Sequence, residues 1–101
     1  MPNFHVGTAT GDVPSRAGVG VTSEIVVAEN YNRVGLVMTN ISDRTMYLGV
    51  GNTATLRAGI VLTGGGGVWS MDDYTYSKEA ITAIGDAATL TIAFQEFIVR
   101  A

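Results

Sequence analysis

The chain has 101 residues, enough for one domain, with six Lys and Arg against nine Asp and Glu and a net charge of −3. The basic residues are scattered singly, which excludes the clustered positive surface that nucleic-acid binding needs, so no nucleic acid is expected as a partner. There is no cysteine for disulfides or thiolate metal sites, and no apolar run of about 18 residues, so no membrane partner is expected.

Residues 1–18 hold both prolines and show no sustained periodicity, which predicts an extended N-terminal arm with a short edge strand near Phe4 to Thr8. The opening "MPNFHVGTATGD" has neither a basic start nor an apolar stretch and does not read as a secretory signal. From Val19 to Ala28 the sequence alternates with period two and is rich in β-branched residues, predicting a strand. "ENYN" at 29–32 is turn chemistry. Val34, Leu36 and Met38 are predicted to share one face of the next strand, while Val37 and Ile41 make its other face apolar too. A strand apolar on both faces is central in its sheet or covered behind. "SDRT" at 42–45 is predicted to turn a hairpin, with Met46, Leu48 and Val50 returning on one face and Tyr47 on the other.

After a loop at 51–59 come a short strand at Ile60 to Leu62 and four consecutive glycines, Gly64 to Gly67. Four glycines lose much backbone freedom on ordering. They belong in a tight turn, a close backbone contact or a mobile hinge. A phosphate cradle would need Lys and Ser or Thr opening a helix; Val68, Trp69 and Ser70 follow instead and read as a strand. "DDYTYSKE" is a polar loop, Glu79 to Ile84 another strand, and Gly85-Asp86 a turn. In the last strand Leu90, Ile92 and Phe94 face inward and Thr89, Thr91 and Gln95 outward. Beyond Glu96 the consecutive Phe97, Ile98 and Val99 blur that phase, which predicts a bulge or a new neighbour for the strand's end.

Seven or eight short strands with turns every eight to twelve residues predict an all-β protein, an antiparallel β-sandwich of jelly-roll-like form over residues 19–101. Charged residues are 15 % of the chain, against about 25 % in typical soluble domains. Such a surface is either coated with Thr, Ser, Asn and Gly or buried against other subunits.

Chemistry is hard to place. The single histidine, His5, lies in the predicted arm, where no nucleophile could be held against it. Asp72 and Asp73 are adjacent carboxylates without the spacing of a Ca²⁺ loop, and adjacent Asp at a strand end more often caps a turn. No enzyme, cofactor or metal site is therefore expected. Trp69, Tyr74 and Tyr76 cluster around one loop; they suit the core or a protein interface, and alternatively a glycan-stacking platform.

The run "NRVGLVMTNISDRTMYLGVG", followed by "GIVLTGGGGVWSMDDYTYSKEAITAIGDAATLTI", resembles a module of small virion proteins of tailed bacteriophages. The matching positions are Asn32-Arg33, Leu36 to Asn40, Ser42-Asp43, Tyr47 to Gly49, Leu62 to Gly66, Asp72 to Tyr74 and Ala80 to Leu90. The resemblance implies a head decoration (cement) protein, a head-fibre base or a tail accessory module, often trimeric, and carries no catalytic residue. On that reading the chain is a homotrimer on the capsid surface of a virion assembled in the host cytoplasm, bound to the major capsid protein. Phe4, His5, Val6, Arg16, Trp69, Tyr74, Tyr76 and Phe97 are the expected capsid or subunit contacts. The alternative is a carbohydrate- or receptor-binding module of a phage fibre.

Overall fold

The computed structural model describes residues 8–71 and 77–100, and these form two antiparallel sheets packed face to face. Nine strands follow in chain order: β1 (Thr8–Gly11), β2 (Ser15–Val19), β3 (Glu24–Val27), β4 (Arg33–Asn40), β5 (Met46–Val50), β6 (Ile60–Leu62), β7 (Val68–Ser70), β8 (Ile81–Gly85) and β9 (Leu90–Arg100). Sheet A runs β1-β9-β4-β7, with β2 continuing the β1 edge along β9, and sheet B runs β3-β8-β5-β6. The protein is all-β, as its alternating pattern and closely spaced turns require.

The pairing is nested. β5 pairs β6, β4 pairs β7, β3 pairs β8 and β2 pairs β9. A jelly roll is this arrangement: one long hairpin, with its apex between β5 and β6, rolled until successive arm segments fall in alternate sheets. Strands β2 to β9 therefore each present one apolar side to the space between the sheets. Leu36 and Met38 of β4, Met46 and Leu48 of β5, Leu62, Ile81, Ala83, Leu90 and Ile92 fill that space, all buried. Ala17, Trp69 and Phe94 pack against them, half-buried.

Four expectations change. Residues 8–18, assigned from sequence to an arm, form β1 and most of β2, both hydrogen-bonded in register to β9. Short, polar and interrupted at Pro14, they lack the apolar alternation that marks a strand, yet an edge strand needs only its backbone to pair. The run from Val19 to Ala28 is two strands, because residues 20–23 carry the chain from sheet A to sheet B. For the same reason β4 and β5 are no hairpin: they lie in different sheets, and residues 41–45 form a corner between them. Alternation shows that each strand has an inner face; it cannot show whether two successive strands share a sheet. Finally, Val34 is exposed, because the register of β4 slips between Arg33 and Gly35 and turns Arg33 inward instead.

The blurred end of β9 has a simple origin. β9 pairs β2 through residues 90–94 and β1 through residues 97–100, so its end does gain a new neighbour. The irregularity in the ladder lies on the facing β4.

Candidate functional site: two uncharged sheet faces

Outward positions follow from register and exposure. On sheet A, β4 turns out Gly35, Val37 and Thr39, and β9 turns out Thr91, Ala93, Gln95, Phe97 and Val99. The edges add Arg16 and Gly18 from β2 and Val68 and Ser70 from β7. Arg16 is the single charged side chain among these described positions. Sheet B turns out Ile25, Thr82, Ile84, Tyr47, Gly49 and Val61, none of them charged. The charge deficit of the composition is thus concentrated on the two broad faces. The other charged side chains of the described residues sit at sheet edges (Glu24 of β3, and Asp12 between β1 and β2), in loops and corners (such as Glu29, Arg44, Arg57 and Asp86) or in the interior.

Phe97 sits between strands that offer no side chains beside it. A Cβ added at Gly35 would lie 3.5 Å from the Phe97 Cβ, and one added at Gly11 would lie 3.5 Å from the ring. The ring therefore lies between two glycine positions, with the Gln95 amide covering the one at Gly11, where Nε2 would be 2.7 Å from an added Cβ. Beside it runs a groove of about 330 Å³ bounded by Pro14, Val37, Thr39, Ala93 and Phe97. At the β3 edge of sheet B a second cleft of about 540 Å³ is lined by Glu24, Glu29 and Glu79. Among the described residues no three acidic or imidazole side chains converge closely enough to hold a metal ion.

The expected interface residues divide. Arg16 and Phe97 stand on the outer face of sheet A, whereas Trp69 points inward from β7 and packs half-buried on the core. Of the readings open to Trp69, that position favours core over a glycan platform. Phe4, His5, Val6, Tyr74 and Tyr76 lie outside the described residues.

Two polar side chains, both fully buried, hold the corners in place. Arg33 donates from Nε to Glu96 Oε2 at 2.7 Å, from Nη1 to the carbonyls of Ser77 and Glu79 at 3.0 and 2.8 Å, and from Nη2 to Ala28 O at 2.7 Å. The planar guanidinium fork satisfies four acceptors on three chain segments at once, which an ammonium could not. Asn40 donates from Nδ2 to Arg44 O (2.7 Å) and Leu62 O (2.9 Å), while its Oδ1 accepts from Ser42 N at 3.0 Å. It thereby fixes the β4–β5 corner to the end of β6. From its place at the turn before the central strand Arg33 is expected to make a local hydrogen bond or salt bridge. The salt bridge is there, but to Glu96, 63 residues away, and nothing in the sequence assigns Asn40 a role. The missed signal was Glu96, which keeps the inward phase of Leu90, Ile92 and Phe94: an inward acid in an apolar strand needs a buried base.

The four glycines form a tight turn rather than a hinge. Gly65 and Gly66 have φ of +79° and +112°, and a Cβ on Gly64 or Gly67 would sit 2.5–2.9 Å from backbone or side-chain atoms of Asp43, Arg44 or Thr63. Backbone amides of Gly65 and Gly66 donate to Ser42 O and Asn40 O at 2.8 and 3.0 Å, strapping the β6–β7 crossing to the β4–β5 corner.

No family model matches the chain, and no curated protein matches it. A solved chain from the Bacillus endospore appendages, described as "a novel family of disulfide-linked pili", aligns with all of this chain and 96 % of its own length, at a TM-score of 0.57 and 18 % identity. That likeness is one of fold.

Proposed function

We propose that this chain is a non-catalytic structural subunit, a decoration or cement protein that binds the outer surface of a phage head as a homotrimer and stabilises the capsid lattice. The observation that carries the reading is the scarcity of charge on both sheet faces, where Arg16 of β2 and Glu24 of β3 stand only at the edges. Charge is depleted at the centres of protein interfaces, whereas a small domain meeting only water gains solubility from it. The sequence resemblance to small phage virion modules supplies the partner, the major capsid protein. The fold likeness to a pilus-forming chain is compatible with an assembling role, but disulfide linkage is closed to a chain without cysteine. Weak contacts from three linked copies would add through effective concentration, so no single site need be tight.

The test is to delete the protein from its own virion. Heads lacking it should keep their size, lose resistance to heat and low salt, and recover both when purified protein is added back. Heads of unchanged resilience, or added protein that fails to sediment with them, would overturn the proposal.

A further inference from the structure

We infer that β1 is an exchangeable strand: in the assembled protein, residues 8–11 of one copy leave their own β9 and pair with residues 97–100 of β9 in the next copy. The inference rests on the self-associating reading above and names the contact that joins the copies.

β1 brings a backbone ladder and little else. Among the described residues it pairs β9 alone, Thr8 to Gly11 opposite Arg100 to Phe97, and neither Thr10 nor Gly11 belongs to the buried core. β2, in contrast, is anchored by Val19 in the core and Ala17 against it. Detaching β1 breaks a ladder without opening the space between the sheets, and β9 of the next copy restores that ladder rung for rung. The bonds lost and regained are identical, which is why strand exchange is a low-cost route to assembly.

The link between β1 and β2 is built as a hinge. Gly11 stands opposite Phe97 and Ser15 opposite Phe94, so the three residues Asp12 to Pro14 face only Gln95 and Glu96. A surplus residue bulges the strand, and short hinges invite exchange. Pro14 has no N–H to add to the ladder and biases Val13 toward extended backbone, the conformation an outgoing strand needs. Val13 N donates to Asp12 Oδ1 at 2.8 Å and Ser15 Oγ to Val13 O at 3.0 Å. These bonds are local to the hinge and travel with it.

The vacated rungs of β9 fit this chain's own strand, which identifies the occupant as a second copy. A Cβ at position 11 would lie 2.7 Å from Gln95 Nε2 and 3.5 Å from the Phe97 ring. That amide is engaged, donating to Asp12 O at 2.9 Å, while Asp12 N donates to Glu96 O at 2.8 Å. The site therefore takes glycine followed by a residue with a free N–H. A strand with a side chain at the glycine rung has to displace the Gln95 amide. Three hinge residues span at most about 10 Å, so the receiving β9 lies close beside the donor's β2. Passed one way round a three-fold axis, each copy gives one strand and receives one, and no β9 is left unpaired.

The experiment is disulfide capture, with no native cysteine to interfere. Ala9 lies opposite Val99, whose N–H is turned away to Asn32 O, so the two form a non-hydrogen-bonded pair with Cα atoms about 4.5 Å apart, within disulfide reach. One batch carries Ala9→Cys alone and a second, with a different mass tag, Val99→Cys alone. A third carries Val61→Cys, exposed on sheet B, and gives the background. Thermal melts check folding; the first batch is refolded from urea with the second or the third, its mass measured by light scattering over a concentration series, and then mildly oxidised. The expected result is a multi-chain mass, with disulfide-linked pairs of first and second batch at least tenfold more abundant than pairs of first and third. A multi-chain mass with first–second pairs at background would overturn the exchange and leave self-association standing. A single-chain mass at every concentration would overturn the self-association reading, and the exchange with it. Should either cysteine prevent folding, Thr10→Cys and Ile98→Cys, in register at the neighbouring rung, take their place under the same criteria.

Discussion

Removing the Arg33 side chain is the sharpest test of how this sandwich is held. Arg33→Met keeps the bulk of the stem and deletes the guanidinium, leaving Glu96, only 14 % exposed at its side chain, without its cation. It also leaves the carbonyls of Ala28, Ser77 and Glu79 without this donor. Breaking one side of a buried ion pair costs about 3–5 kcal/mol, against a total stability of about 5–15 kcal/mol for a domain of this kind. With a urea slope of about 1.5 kcal/mol per molar, the unfolding midpoint should fall by about 2–3 M. The companion measurement is a double-mutant cycle. Arg33→Met with Glu96→Leu removes the orphaned charge as well, so the double variant should be more stable than the sum of the singles by about 2 kcal/mol. A loss below about 1 kcal/mol for Arg33→Met, or additivity within about 0.5 kcal/mol, would refute the account of Arg33 as the clasp joining the β3–β4 loop, the 77–79 segment and β9.

Other perturbations probe the corners. Asn40→Asp should cost about 2–4 kcal/mol at neutral pH, because a carboxylate cannot donate to Arg44 O and Leu62 O; chemical denaturation reads it. Gly67→Ala should destabilise by more than about 2 kcal/mol, since the new methyl meets the Thr63 backbone, whereas Gly65→Asn, at φ +79° with open space around it, should cost under about 1 kcal/mol. Equal losses at the two positions would argue against the strapped turn. Thr89 is an exposed β-branched residue at φ +64°, so Thr89→Asn should stabilise by about 0.5–1 kcal/mol and raise Tm by about 3–6 °C in calorimetry.

Much of the architecture was legible because burial imposes a period of two. Met38, Leu48 and Ile92 are inward where alternation puts them, Tyr47 is outward, and the short strand Ile60–Leu62 has the bounds its β-branched run suggests. The illegible parts share a cause: they depend on partners distant in sequence. Residues 8–18 are strand because β9 offers them a ladder, and Val34 faces water because Arg33 finds acceptors 44 to 63 residues away. Nothing in "SDRT" distinguishes a hairpin turn from a corner between sheets; the decision lies with Asn40 and the glycine strap it faces. The candidate surface was legible only as a deficit. Composition reported too little charge, and register was needed to show that the missing charge is missing from the faces.

The nested pairing also decides how the fold responds to pulling. Thr8 lies opposite Arg100, so the described chain enters and leaves at the same end of the sandwich, on neighbouring antiparallel strands. Tension applied between those two points would peel β1 from β9 one rung at a time, the direction in which a ladder resists least, instead of shearing all its rungs together. A domain wired this way transmits force poorly along its own backbone. On the proposed structural role, any mechanical strength it lent to an assembly would pass sideways, through the flat of its sheets.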